Sequence, residues 1–189
     1  MKKSSAAITN IREECQEFYR KYFRMTVDFS EVAIPEEKED FTRVIFIPQG
    51  LKFSDIVKDM KKHFKIWLCD NNDNLDKVIT ENVRTSDNSY AIRLRERVEA
   101  DKEWKRTSAN ELKKKGINSI TLMERLVLEL KYFDETDKHL DISNVTLCAG
   151  SRYSDGGVPY VYWDAVKLHV HWYNPDDADD YLRAREAVS

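Results

Sequence analysis

Apolar residues recur along this chain with two different periods, and the change from one to the other divides it into elements. Ile11, Cys15, Phe18, Tyr19, Tyr22 and Phe23 fall at helical spacing behind an Asn10-x-x-Glu13 start, which predicts an amphipathic helix with one aromatic stripe. Such a stripe packs on its own chain or forms a dimer contact, and the first is the expectation for a surface helix. Thr26 to Phe41, with Pro35 and the run Glu36-Glu37-Lys38-Glu39-Asp40, reads as a solvated linker. Val44-Ile45-Phe46-Ile47 is a continuous apolar run closed by Pro48 and Gly50, hence a buried strand. Ser54 is placed to cap a helix with Ile56, Val57, Met60 and Phe64 inward, and Ile66-Trp67-Leu68-Cys69 then completes a strand-helix-strand unit of parallel or split type.

Asp70 to Asp76 is a polar loop, since it lacks the alternating ligands, central Gly and closing Glu of a calcium loop. Tyr90 to Val98 alternates as a strand, with Ile92, Leu94 and Val98 on one face. Its other face carries Arg93, Arg95 and Arg97, which the acidic neighbours Glu96 and Glu99 mark as a solvated face rather than a phosphate site. Ser108-Ala109-Asn110-Glu111 is a capping box that opens a short helix ended by Gly116. Thr121-Leu122-Met123-Glu124 is a second box. It begins the longest helix, through about Lys138, with Leu122, Met123, Leu126, Val127, Leu130 and Phe133 as the main helical wall of the core.

The C-terminal stretch returns to period two. In Val158-Pro159-Tyr160-Val161-Tyr162-Trp163 and Lys167-Leu168-His169-Val170-His171-Trp172-Tyr173, Val161, Trp163, Leu168, Val170 and Trp172 fall on one face and the tyrosines and histidines on the other. Asp164-Ala165-Val166 joins the runs as a hairpin. Polar loops flank the plate, Gly150 to Gly157 before it and Asn174 to Tyr181 after it. Leu182 to Val188 returns as a last strand, with Leu182, Ala184 and Val188 inward and Arg183 and Arg185 outward, or as a short helix.

Composition sets this tail apart. Glu, Gln, Lys and Met fill 39 of the 157 positions outside residues 150 to 181, so about eight are expected in the 32-residue window between. The window holds one, Lys167. All eight phenylalanines precede Gly150, whereas five of the nine tyrosines follow it. Tyr with small polar residues is the palette of antibody-like binding surfaces, because Tyr supplies rigid contact area and the small residues adapt.

The frame Cys148-Ala149-Gly150-Ser151-Arg152-Tyr153-Ser154-Asp155-Gly156, then Val158-Pro159, Trp163, Trp172, Pro175 and Leu182-Arg183-Ala184-Arg185 to Val188-Ser189, resembles the variable proteins of diversity-generating retroelements. The Gly-Phe-Arg that often marks the final strand in those proteins is missing here. The resemblance implies an α+β chain whose residues 86–189 form a C-type-lectin-like domain, related to the formylglycine-generating-enzyme fold, with two helices followed by a small antiparallel sheet. Residues 1–85 would be an N-terminal helix and strand-helix-strand extension. It also implies a variable region at about 150–181, diversified by adenine-directed mutagenesis that does not readily yield Glu, Gln, Lys, Met or Trp. The ligand-binding residues on this reading are Tyr153, Gly157, Tyr160, Tyr162, Asp164, His169 and His171, continued by Tyr173, Asn174, Asp176, Asp177, Asp179, Asp180 and Tyr181.

Charge and cysteine usage narrow the function classes. A net charge of −3 gives no electrostatic reason to expect nucleic acid or an anionic membrane as partner. No signal peptide or apolar span is evident, which leaves the cytoplasm as the expected compartment. Cys15, Cys69 and Cys148 are odd in number and far apart, so buried free thiols are expected rather than disulfides or paired-cysteine zinc. The competing chemistry is a metal-dependent enzyme built on His169 and His171, about 7 Å apart along one strand face, with Asp155 or Asp164 as third ligand. A Ser151, His169, Asp155 triad lacks a nucleophile-elbow motif. The expectation is therefore a binding protein with no catalytic residues, metal or cofactor, whose partner is a macromolecule, a protein in the first instance, with homo-oligomerisation through the N-terminal helix as a second contact. Tyr153, Tyr160, Tyr162, His169, His171, Tyr173 and Tyr181 should lie largely exposed on one surface.

Overall fold

In chain order the elements are α1 (Ser5–Phe23), β1 (Arg43–Ile47), α2 (Phe53–Met60), β2 (Ile66–Leu68), α3 (Leu75–Val78), β3 (Ile79–Asn82), β4 (Tyr90–Leu94), α4 (Ala109–Lys114) and α5 (Leu122–Thr136). They continue as β5 (Val145–Leu147), β6 (Ser151–Tyr153), β7 (Val158–Trp163), β8 (Leu168–Tyr173) and β9 (Leu182–Ala184). This is a computed structural model that describes residues 5–69 and 74–189 of a mixed α+β chain. Of the polar loop expected at Asp70 to Asp76, residues 70–73 lie outside the described residues, and the rest begins α3.

The main sheet has the order β2-β8-β7-β5-β9, and β1 with β4 and β3 with β6 form two further antiparallel pairs. β7 and β8 are the expected hairpin, in register from Val158 opposite Tyr173 to Trp163 opposite Leu168. The strand-helix-strand expectation is corrected. β1 pairs with β4, whereas β2 runs parallel to β8 about a hundred residues later in the chain. One hydrophobic cluster accordingly draws on both sides of residue 85, from Phe18, Phe46 and Ile56 to Leu126, Val161 and Val170, so that boundary does not separate two cores. A smaller cluster on the far side of the sheet joins Ala109 and Leu112 of α4 to Val145, Leu147, Val158 and Leu182.

Local signals act where they were expected. Both capping boxes are complete: Ser108 and Thr121 accept from the backbone N–H of Glu111 and Glu124, whose side chains accept from the cap residues in return. Gly116, at φ +68°, ends α4 in the left-handed region that glycine enters without strain. At α2 the expected Ser54 cap is replaced from outside. The Asp76 carboxylate accepts from the N–H groups of Phe53 and Ser54 at 2.8 and 3.0 Å, neutralising the positive end of the helix. The stripe of α1 is covered by its own chain: Phe18 and Tyr19 are buried, and Tyr19 donates to the carbonyl of Phe46.

Three polar segments expected in solvent are covered in part. Within residues 26–41, Glu36 to Asp40 are exposed as expected, but Phe29 and Phe41 bury their rings and Phe29 stacks on Phe46 at 4.6 Å. That segment covers the arginine face of β4. Arg93 donates from Nε to the carbonyl of Pro35, Arg95 lies 4.1 Å over the Phe41 ring and pairs with Asp101 and Glu186, and Arg97 pairs with Glu103. Nor do the two arginines at the end of the chain both face solvent: Arg183 in β9 is half-buried and donates to the Ala100 carbonyl at 3.3 Å. Leu182 and Ala184 enter the smaller cluster, while Arg185, 1% exposed, enters an ionic network behind the sheet.

That network is built on Asp141, whose carboxylate is fully buried. It receives Arg125 Nε at 3.0 Å, Arg185 Nη2 at 2.8 Å, the Ala100 N–H at 2.8 Å and the Thr146 hydroxyl. Arg125 also reaches Glu129 at 2.8 Å, and Glu129 meets His139 Nδ1 at 2.9 Å. Arg185 continues to the carbonyls of Arg97 and Val98 at 2.9 and 2.7 Å. The backbone carbonyl of Asp141 accepts from the N–H of Trp163, and His139 stacks on the Trp163 ring, so the network is fastened to the end of β7. Removing one partner of a buried ion cluster leaves an uncompensated charge, which costs about 3–5 kcal/mol. Arg185→Met should lower stability to urea by that amount, whereas Arg20→Met, whose ion pair among the described residues is the exposed one with Glu17, should stay within about 0.5 kcal/mol; a loss below about 1 kcal/mol for Arg185→Met would contradict this role.

Candidate functional site, a face of aromatic rings

Alternation on β7 and β8 puts Tyr160, Tyr162, His169, His171 and Tyr173 on the face away from the main core, whereas Val161, Leu168 and Val170 are buried on the other. The register sets Tyr160 opposite His171 and Tyr162 opposite His169. The rings then touch in a continuous array. Tyr162 stacks on His169 at 4.6 Å and 12°, Tyr160 on His171 at 5.5 Å and 23°, and Tyr160 lies 4.6 Å from Tyr173. Offset stacking of this kind adds about 0.5–1.5 kcal/mol per pair beyond area burial.

Mutual packing also explains a departure from expectation. The five plate rings are half-buried rather than largely exposed, because each shields its neighbours, and Tyr160, Tyr162 and Tyr173 rest on the smaller cluster. Tyr181 is the most open, at 46% exposure. Trp163 and Trp172, expected to be buried, are likewise half-buried, Trp163 where it stacks edge-on with Phe64 at the rim of the core.

One ring was missed in the sequence. Trp67 of β2 pairs in register with His169 and lies 5.4 and 5.5 Å from the His169 and His171 rings. The same alternation that turns Tyr160 and Tyr162 outward separates Trp67 from Ile66 and Leu68. The signal became legible only once β2 was known to border β8. Cys69 follows Trp67, and its Sγ lies 3.7 Å from His171 Nε2.

The remaining expected site residues divide. Asp164 closes the hairpin, accepting from the N–H groups of Val166 and Lys167, and meets His169 Nε2 at 2.5 Å. That bond with His169, reinforced by the backbone donors, holds the Asp164 carboxyl down at about 2. Tyr181 shares a hydrogen bond with the Tyr173 hydroxyl and donates to Asp179 at 3.0 Å. Asn174 and Asp177 close their own turn, Asp176 is bonded to Asn110 of α4, and Asp180 pairs with Arg106 at 3.0 Å. The acidic loop is thus anchored beside the plate.

Two expected residues leave the set. Tyr153 is half-buried against the main core, and its N–H donates to Gly157. Gly157 is itself buried, where a Cβ would come within 3.3 Å of the Trp172 ring on the opposite side of the sheet. Both serve the β6–β7 turn rather than the surface.

Each plate histidine is engaged by its own neighbours, His169 by Asp164 and His171 by the N–H of Trp172 and by Cys69. Among the described residues no group of three or more His, Cys, Asp or Glu side chains is placed to hold a metal ion. Ser151 is buried, donates to Asn82 and accepts from the N–H of Leu122, so the Ser151, His169, Asp155 triad is not assembled. Burial pushes the Cys148 thiol far up, away from a reactive thiolate. Among the described residues no helix is long and apolar enough to cross a membrane. No protein-family model, curated protein or solved structure matches the chain.

Burial, followed by the neighbouring phenols of Tyr162 and Tyr181, raises the Tyr160 hydroxyl from 10.0 to about 12. The folded protein therefore keeps a proton there that the unfolded chain loses above its ordinary value. Stability from this group is intact below pH 10 and falls as pH rises through about 12. Denaturation midpoints measured between those values should decline less steeply in Tyr160→Phe than in the parent, and parallel slopes would place Tyr160 in open solvent.

Proposed function

We propose that the chain is a non-enzymatic binding protein in which a C-type-lectin-like scaffold of helices and a small sheet presents a ring-rich surface to a macromolecular ligand, in the manner of a variable protein of a diversity-generating retroelement. The observation that carries this reading is a coincidence. The segment nearly free of Glu, Gln, Lys and Met supplies Tyr160, Tyr162, His169, His171, Tyr173 and Tyr181, and all six adjoin on one face. A composition shift without a shared surface would carry no function, and a shared surface of ordinary composition would be an ordinary sheet face.

Two further features favour it. The framework beneath the ring face is fixed by Asp141 and the two capping boxes, as a scaffold for exchangeable contacts requires. The plate is broad, and a cavity adjoining it, about 300 Å³ between Tyr160, Tyr162, Tyr181 and the turn at Ile142 to Val145, is at the low end of the range of about 300–1,000 Å³ for small-ligand pockets. Tyr and Trp are the residues that dominate protein interfaces. A protein partner fits this surface better than a small molecule.

Two measurements test it. DNA beside the coding sequence should contain a near-repeat of the part encoding residues 150 to 181, differing at adenines and close to a reverse transcriptase gene; its absence would remove the diversification. A protein captured on the immobilised chain should be released by Trp67→Ala, Tyr162→Ala and Tyr173→Ala, with a loss of about 2 kcal/mol at a central ring, or roughly thirtyfold in affinity. Undiminished binding in folded variants would place the contact elsewhere.

A further inference from the structure

A second site lies away from the ring face, where β3, α4 and the turn at Gly150 enclose a cavity of about 300 Å³. Its interest begins with an arginine. Arg84, Arg93, Arg95, Arg125 and Arg185, all largely withdrawn from water, each meet a carboxylate. Arg152 does not. Its half-buried guanidinium is held by Nη1 alone, on the carbonyls of Ala149 and Ser151 at 2.8 and 2.7 Å, and no carboxylate pairs with it among the described residues. Glu81, its partner in the β3–β6 ladder, is exposed and also lines the cavity, but no ion pair joins it to Arg152 among the described residues. Burial, only partly offset by the negative charge of Glu81, lowers the affinity of Arg152 for its proton.

The cavity supplies the rest of a recognition site. Lys113 lines it with a second positive charge, and Asn82, whose Oδ1 is occupied by the Ser151 hydroxyl, has its amide Nδ2 left as a donor. Ser119 also lines it, 4% exposed, with a hydroxyl that has no hydrogen-bond partner among the described residues. A buried hydroxyl left unpaired costs about 1–3 kcal/mol, so its persistence calls for an explanation. The opposite wall is apolar, formed by Val83, Ala109, Leu112 and Ile117. The frame is stiff: Gly150 sits so close to the carbonyls of Ser119 and Ile120 that a Cβ would come within 2.8 and 3.0 Å of them, and the Gly150 carbonyl accepts from the Val83 N–H.

We propose that this cavity binds a small organic carboxylate, with its anionic head on Arg152 and Lys113 and a short apolar body against Val83, Leu112 and Ile117. The head supplies counter-charge that Glu81 gives Arg152 only in part, and the body lies along a wall whose inner side, Ala109 and Leu112, belongs to the smaller cluster. This site is independent of the ring face and stands or falls separately from it.

Hexanoate, its uncharged analogue hexanamide and inorganic phosphate, titrated separately into the full chain and followed by backbone amide chemical shifts, test the proposal. Hexanoate should give saturable shifts at Val83, Ser119, Ala149 and Gly150 with a Kd of about 1 mM or tighter, within the efficiency small ligands reach. Hexanamide and phosphate should each bind at least about tenfold more weakly, as should hexanoate to Arg152→Gln, the worth of a charge-assisted hydrogen bond. Arg152→Lys should retain part of the affinity. If Arg152→Gln does not fold, Lys113→Gln on the exposed rim of α4 gives the same test, with a loss of about threefold. No saturable shift with hexanoate, equal binding of hexanamide, equal binding of phosphate, or unchanged affinity in a folded Arg152 or Lys113 variant would overturn the proposal.

Discussion

The fold depends on one fully buried carboxylate. Asp141 gathers Arg125 from α5, Arg185 from just beyond β9, Thr146 from β5 and the Ala100 N–H from the loop after β4, so that four segments far apart in sequence share a single charge. Desolvating such ions is unfavourable and is recovered only when geometry and the additional hydrogen bonds are good, as they are here. The return is in specificity: any rearrangement that separated α5 from β9 would strand a charge. Because the network lies behind the sheet and is tied to Trp163 at the end of β7, it fixes the hairpin without using any side chain of the ring face.

That separation gives the two faces of β7 and β8 different physical duties. Val161, Leu168 and Val170 contribute buried apolar area and are coupled to α5. Tyr160, Tyr162, His169, His171 and Tyr173 contribute ring contacts mainly to one another, with Trp67 at one border and Tyr181 at the other. A residue whose partners are chiefly its neighbours on an open face can be exchanged together with them. The acidic loop beside them is anchored by Asp176 on Asn110 and Asp180 on Arg106, so its carboxylates are displayed from a fixed position.

Much of this was legible where the determining contacts are local. The boxes at Ser108 and Thr121 close within three residues, and the alternation of Tyr and His with Val and Leu needs nothing beyond the strand itself. What was illegible depends on partners distant in sequence. Arg93, Arg95, Arg183 and Arg185 look like a solvated face because an arginine reveals its burial only through the carboxylate or carbonyl it meets, and those lie up to 91 residues away, as with Arg95 and Glu186. Phe29 and Phe41 sit in a segment without periodicity, so nothing local marked them as core. Trp67 joined the site only through the parallel pairing of β2 with β8. Tyr153 and Gly157 belonged to the expected surface by composition, but a turn through left-handed Gly156 takes them to the other side.

The most direct measurement is the stability of a chain in which the ring face is replaced as a group. Tyr162, His169, His171 and Tyr173 are changed together to Ser, and the urea midpoint is compared with that of Val170→Ser alone, a single polar change in the fully buried face of the same hairpin. Burying one unpaired hydroxyl in place of a packed valine costs several kcal/mol, whereas half-exposed substitutions cost about 0.5–1 kcal/mol each. If the face is a display surface, the fourfold variant unfolds cooperatively and at no lower urea concentration than Val170→Ser. A fourfold variant that is unfolded in water while Val170→Ser remains folded would mean that the rings are themselves the core, and would contradict the account.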